Sequence, residues 1–318
     1  MMRKIALEEH FTTPELAKNY VARPTQSDAL FADVERRLAD FDELRLEMMD
    51  KAGIEMMVLS VTTPGVQGVS DSSEAIQLAH SANDFLAREV QKRPDRYAGF
   101  AHLAMQDADA AAAELERAVR ELGFRGALIN GQTNGHYLDE DQYVPFWERV
   151  QDLDVPVYLH PGNMADHPAM FAHRPELDGP IFAWTADTAA HALRLVFGGT
   201  LTRFPKVKIV LGHMGETLPF LLWRLDSRRE FYLGHKLAPD ALPSAIIKRN
   251  IAITTSGVCD PGALLAAIHA LGDENVMFSV DYPYEDPQVA ADFIESAPVC
   301  EDVRAKICYG NAERLLHL

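Results

Sequence analysis

The segment Val207-Lys-Ile-Val-Leu-Gly-His-Met-Gly-Glu216 sets the reading of the fold. Val207–Leu211 is apolar and partly β-branched, without clean alternation, as expected of a strand covered on both faces in a parallel sheet. It ends at His213, and a helix-forming stretch, Glu216 to Glu230, follows. The same unit recurs along the chain. Lys4–Leu7, Met56–Val61, Tyr97–Leu103, Gly126–Ile129, Val155–Leu159, Ile251–Thr255 and Val276–Val280 complete eight candidate strands.

Amphipathic helices separate them. Asp71-Ser-Ser-Glu74 has the spacing of a capping box, and the helix it opens places Leu78, Ala82, Phe85 and Leu86 on one face until Pro94 ends it. Ala110 to Leu122 is rich in alanine and glutamate, with Gly123 as its C-terminal cap. Asp187 to Leu201, Pro261 to Leu271 and Gln288 to Ser296 continue the pattern. Eight β/α units predict an α/β protein with a closed (β/α)8 TIM barrel; an open doubly wound sheet is the alternative. Neither GxGxxG nor GxxxxGK[ST] follows an early strand, which counts against nucleotide binding. A single domain over residues 1–318 is expected. Residues 11–40 form an insertion after the first strand and residues 161–180 a proline-rich loop after the fifth, both expected to cover the barrel mouth.

The 318 residues are 47% hydrophobic and 24% charged, enough for a core and not the composition of a disordered chain. A formal net charge of −17 argues against nucleic-acid partners. Cys259, Cys300 and Cys308 are few and widely spaced, as in a reduced compartment. The opening Met1-Met-Arg-Lys-Ile-Ala-Leu-Glu8 meets charge too early for a signal peptide, and no apolar run reaches membrane-spanning length. A cytoplasmic protein without a membrane partner is expected.

The polar residues at the strand ends carry the chemistry. Glu8 and His10 stand two apart in the opening strand and share a face, while Glu9 points away. His160 ends the run after Asp154, His213 ends Lys208–Gly212, and Asp281 follows Val276–Val280. Taken singly, each has an ordinary explanation: a wet strand end, a rim histidine, a helix-capping acid. Together they converge on one barrel mouth. Two carboxylates with imidazoles suit one Zn2+ or Mn2+ ion, so Glu8, His10, His160 and Asp281 are the expected metal ligands. Arg224, in the helix after His213, is a candidate carboxylate clamp or anchor for His213 and Glu216. Asn130 offers its amide at the end of strand four, and Trp184 an aromatic wall.

These stretches resemble the amidohydrolase-superfamily decarboxylases, the group that includes γ-resorcylate (2,6-dihydroxybenzoate) and 2,3-dihydroxybenzoate decarboxylases. The resemblance rests on Ala6-Leu-Glu-Glu-His-Phe11, Leu159-His-Pro161, His191-Ala-Leu-Arg-Leu195, Leu211-Gly-His-Met-Gly-Glu216, Trp223-Arg-Leu-Asp226, Thr254-Thr-Ser-Gly257 and Phe278-Ser-Val-Asp-Tyr-Pro-Tyr-Glu285, in family order along the chain. It implies a single-metal barrel, a homodimer or homotetramer, with the same four ligands and a His213–Glu216 dyad supported by Arg224. The family's Arg-Asn after the histidine–proline pair is replaced by Gly162-Asn163. The implied activity is that of a carboxy-lyase: non-oxidative decarboxylation of an ortho-hydroxybenzoate, reversible as phenol carboxylation. Asp281 is the expected proton donor, and His213, held by Glu216, is expected to bind the carboxylate or shuttle protons. The rival is a metal-dependent hydrolase of a lactone or amide, with Asp281 as base.

Overall fold

A computed structural model of the chain describes residues 1–19, 27–165 and 168–318. Among the described residues there are eight parallel strands: β1 (Lys4–Phe11), β2 (Ile54–Val61), β3 (Tyr97–Gly99), β4 (Ala127–Asn130), β5 (Val157–His160), β6 (Ile209–Leu211), β7 (Ile251–Thr254) and β8 (Val276–Met277). They pair in order as β1-β2-β3 and β4-β5-β6-β7-β8. Parallel bridges from Ala101 to Ala127 and from Glu9 to Tyr282 join the two sets into a ring. The closed barrel expected from the alternation is therefore the architecture, and the doubly wound alternative falls away.

Two apolar layers hold it. Inside the ring, Ile5, Leu7, Val58, Phe100, Leu128, Tyr158, Val210, Ala252 and Met277 form a floor against Ala312 and Leu316 of the C-terminal helix. Outside, alternate strand residues such as Ala6, Met57, Leu59, Ile129, Leu159 and Ile253 pack under the helices.

β1 departs from regular pleating in a way that positions the site. Its pairing with β2 shifts between Ala6 and Glu9, where three steps along β1 match two along β2. The extra residue is a bulge, and the amides of both Leu7 and Glu8 donate to Ser279 Oγ (3.1 and 2.6 Å). Leu7 and Glu8, although adjacent, can then both belong to the barrel interior. Ile5 and Leu7 complete the floor, while Glu8 and His10 reach the mouth.

Several boundaries differ from expectation. β1 runs on through Phe11, and the segment to residue 40 contains helices Pro14–Ala17 and Asp28–Ala39; its residues 20–26 lie outside the described residues. The capping box opens helix Ser72–Lys92 as expected, with Glu74 N donating to Asp71 Oδ1 at 2.8 Å. The helix expected from Glu216 begins instead at Leu222 and runs to Leu233. Residues 213–217 before it all have positive φ, between 47° and 80°. The loop after β5 folds into short turns at Ala169–Phe171, Pro175–Leu177 and Gly179–Ile181; His167 lies outside the described residues, and His173 is exposed.

Candidate metal centre

Glu8, His10, His160 and Asp281 each offer one donor atom to a cluster whose atoms all lie within 4.8 Å of one another. His10 Nε2 stands 3.3 Å from Asp281 Oδ1, and His160 Nε2 stands 3.3 Å from Glu8 Oε1. A tetrahedral ion with bonds of about 2.1 Å needs ligand atoms about 3.4 Å apart, so these edges fit one divalent cation. Glu8 and His10 are fully buried and His160 is 3% exposed. Even so, Glu8 Oε1, His10 Nε2 and Asp281 Oδ1 have no hydrogen-bond partner. Leaving such atoms unsatisfied costs about 1–3 kcal/mol each, more for charged groups, and a shared cation satisfies all three. The chain holds a single divalent metal at this cluster.

Each donor is aimed from behind. Glu8 Oε2 accepts from Tyr158 Oη and Ser256 Oγ, and from Thr254 Oγ1 at 3.4 Å, which leaves Oε1 for the cluster. Burial and the Glu8 charge push the Tyr158 phenol well above its ordinary pKa, so it remains a donor. His160 Nδ1 lies 2.8 Å from the Pro161 carbonyl, which fixes its proton there and turns the Nε2 lone pair inward. Burial lowers the His160 pKa well below the ordinary value, keeping it neutral as a ligand must be. His10 Nδ1 rests 3.3 Å from Ser60 Oγ, and Arg45 Nη2 donates to the His10 carbonyl at 2.7 Å.

Glu9, on the opposite face, locks β1 to the last strand. Its carboxylate accepts from Ser279 Oγ and Val280 N, both at 2.9 Å, and from Tyr282 N at 3.1 Å. Burial nonetheless pushes its pKa up to about 8. The amide of Asp281 donates to the Glu8 carbonyl (3.1 Å) and that of His10 to the Tyr282 carbonyl (2.7 Å). Asp281 has φ +81° and caps no helix; the next helix starts at Pro287, capped by Asp286.

His213 and Glu216 meet through the left-handed turn. Each non-glycine residue in that conformation costs about 1–2 kcal/mol, a strain of the kind found at functional sites. The turn brings His213 Nδ1 to 2.7 Å from Glu216 Oε1 and His213 Nε2 to 3.6 Å from Asp281 Oδ2 and 3.8 Å from Glu8 Oε1. Burial disfavours charge on His213, but Glu8, Glu216 and Asp281 together raise its pKa well above the ordinary value. For Asp281, burial works upward, yet the neighbouring imidazoles of His10 and His213 hold its carboxyl well below the usual range. Asp281 thus shows one oxygen to the cluster and the other to a protonated imidazole.

The remaining candidates separate. Asn130 lies beside His160 in the β4–β5 register, is 2% exposed, and neither atom of its amide has a partner. Trp184, in the first turn of helix Ala183–Phe197, holds its ring 6.3 Å from that of His160. Arg224 is exposed on helix Leu222–Leu233 and makes no hydrogen bond or ion pair to His213 or Glu216 among the described residues. Sequence reasoning overlooked Tyr158, Thr254 and Ser256. Their spacing held a signal, since Tyr158 stands two before His160 and Thr254 two before Ser256, so each pair shares a face.

The Amidohydrolase family model matches residues 10–318. The γ-resorcylate decarboxylase of Polaromonas sp. strain JS666 is 43% identical over 326 residues, covering 100% of this chain and 99% of that protein. A crystal structure of 2,6-dihydroxybenzoate decarboxylase complexed with 2,6-dihydroxybenzoate superposes with a TM-score of 0.93 at 41% identity, covering 100% of both chains. The dihydroxybenzoic acid decarboxylase from Polaromonas sp. JS666, solved with manganese and the inhibitor 2-nitroresorcinol, gives a TM-score of 0.92 at 43% identity over 100% of this chain and 98% of that one. A family-model match over residues 10–318 and a relative 43% identical along 100% of this chain lead to one statement: the chain belongs to the amidohydrolase family and is closely related to its γ-resorcylate decarboxylases.

Proposed function

We propose that the protein removes CO2 from an ortho-hydroxybenzoate without redox chemistry, that 2,6-dihydroxybenzoate is its substrate, and that Mn2+ is its metal. The geometry alone also suits hydrolysis, since a metal with an acid and a histidine beside it can activate water. What carries the decarboxylase reading is the full-length likeness to γ-resorcylate decarboxylases, one of them solved with manganese and a nitroresorcinol.

The cation held by Glu8, His10, His160 and Asp281 supplies Lewis acidity that favours an ionised ortho-hydroxyl. Asn130 supplies an unpaired amide to the substrate and Trp184 a wall beside His160. Asp281, ionised at rest, takes the His213 proton on Oδ2 across the 3.6 Å gap and delivers it to the ring carbon that bears the carboxylate. The carbon–carbon bond then breaks, its electron pair restores the aromatic ring, and CO2 departs. His213, oriented by Glu216, then takes a proton from solvent, which restores the resting pair. No oxidant enters, and in reverse the same groups take up CO2 and release the proton.

We read residues 1–318 as one domain. The aromatic face of Phe220, Trp223, Phe231 and Tyr232, each 66–81% exposed, supports a homodimer or homotetramer. Free Cys259, Cys300 and Cys308 support a reducing, cytoplasmic location, and no helix among the described residues is long and apolar enough to cross a membrane. The function is tested by assaying the manganese-loaded protein against 2,6- and 2,3-dihydroxybenzoate and a panel of lactones. Resorcinol and CO2 are expected from the first acid; lactone turnover without CO2 release from either acid would overturn the reading.

A further inference from the structure

The end of the barrel away from the metal holds a second concavity. At the N-terminal ends of β5 to β8, beside the C-terminal helix Asn311–Leu316, lies a cavity of about 430 Å3, within the range of small-molecule sites. Its wall carries Lys206, Lys208, Lys248, Arg249, Arg314 and His317 against two carboxylates, Asp154 and Glu274. Glu274 faces Arg314 at 3.9 Å and Asp154 faces His317 at 3.6 Å. The other four cations have no carboxylate partner among the described residues. Lys208 donates to the Arg249 carbonyl, and Arg249 Nε donates to Asn250 Oδ1 at 3.0 Å.

This convergence runs against the composition of a chain with a net charge of −17. Lys248 and Arg249 end helix Pro243–Asn250, where its dipole favours cations. That does not account for Lys206 and Lys208, which lie between helix Thr200–Arg203 and β6. Lys208 is half-buried; burial, and then Arg249 and Arg314, lower its pKa. Cations crowded around a preformed hollow repel one another until an anion enters. A multiply charged anion matches four unpaired cations better than a monocarboxylate does, and the concave wall suits a small molecule rather than a polymer.

We propose that this cavity binds a phosphate-bearing small molecule, with its phosphate oxygens held by Lys206, Lys208, Lys248 and Arg249. The site lies at the opposite end of β5 from His160 and shares no residue with the metal centre.

Inorganic pyrophosphate is the probe. Calorimetric titration into the metal-loaded protein is expected to give one site of moderate affinity, weakened about tenfold or more in a Lys206→Gln/Lys248→Gln double variant. Both side chains are exposed, so folding is preserved and the metal content of the variant stays at the wild-type level. Lys208→Gln, made separately, is expected to weaken binding similarly. Pyrophosphate drawn to the metal centre would bind wild type and double variant alike, and that result, or no binding to wild type, would overturn the proposal.

Discussion

Replacing Gly212 by alanine tests the metal site through its least tolerant dimension. Gly212 has φ −73°, which any residue adopts, so the substitution adds a methyl group without backbone strain. A Cβ built there lies 2.8 Å from Glu8 Oε1 and 3.0 Å from Glu8 Cδ, and closer still to Oε2. Ordinary contact begins near 3.4 Å, so the carboxylate must retreat by about 0.6 Å or more. Metal–ligand distances tolerate about 0.2 Å. The retreat also pulls Oε2 from Tyr158 and Ser256, which hold it. Perturbing the groups that orient a ligand commonly costs 10–100-fold in metal affinity, or about 1.4–2.7 kcal/mol, and displacing the ligand itself belongs at the upper end. Titrating Mn2+ into chelator-treated Gly212→Ala and wild type, with bound ion read by electron paramagnetic resonance, gives the ratio directly. Thermal unfolding of the two metal-free proteins separates a general loss of stability from a local one. Equal Mn2+ affinity would refute the assignment of Glu8 as a ligand held at this distance.

Other expectations follow from neighbouring contacts. Ser256→Ala removes one donor to Glu8 Oε2 and is expected to lower Mn2+ affinity about tenfold, measured by the same titration. Glu216→Gln removes a carboxylate that raises the His213 pKa. Activity needs His213 charged and falls as pH rises through that pKa, so the alkaline limb of the kcat profile moves to lower pH in the variant, and kcat falls about 10²-fold or more with metal content unchanged. The buried imidazoles of His102 and His191 accept hydrogen bonds from Val66 N and Leu138 N, and burial lowers both pKa values to about 3. Between the ordinary value near 6.5 and about 3 the unfolded chain binds the extra protons, so their contribution is intact above pH 6.5 and is lost as pH falls, by about 1.4 kcal/mol per pH unit for each. Urea denaturation of His191→Gln between pH 5.5 and 4.5 is expected to show a slope smaller by about that amount; an unchanged slope contradicts it.

The sequence exposed the parts of the fold that repeat. Short apolar runs with amphipathic helices between them fixed the barrel, and polar residues at the ends of those runs marked Glu8, His10, His160 and Asp281. What it concealed depends on partners distant along the chain or on unusual backbone. The β1 bulge rests on Ser279, some 270 residues away, and without it Leu7 and Glu8 would face opposite ways. Glu216 reads as a helix start because it and the residues after it suit helices, whereas His213-Met-Gly-Glu216 takes up local backbone strain that aims His213. Arg224 stands exposed on the helix that starts later, at Leu222. Tyr158 and Ser256 were hidden by ordinariness: a buried tyrosine and a strand-end serine become specific only beside Glu8.

Carboxyl-13C-labelled 2,6-dihydroxybenzoate in D2O tests the central claim most directly. Manganese-loaded protein is predicted to release labelled CO2 and resorcinol bearing one deuterium at the carbon that held the carboxylate. Chelation should abolish the reaction, Mn2+ should restore it, and Asp281→Asn should not support it. Labelled CO2 released at the same rate by the chelated protein or by Asp281→Asn would contradict the account.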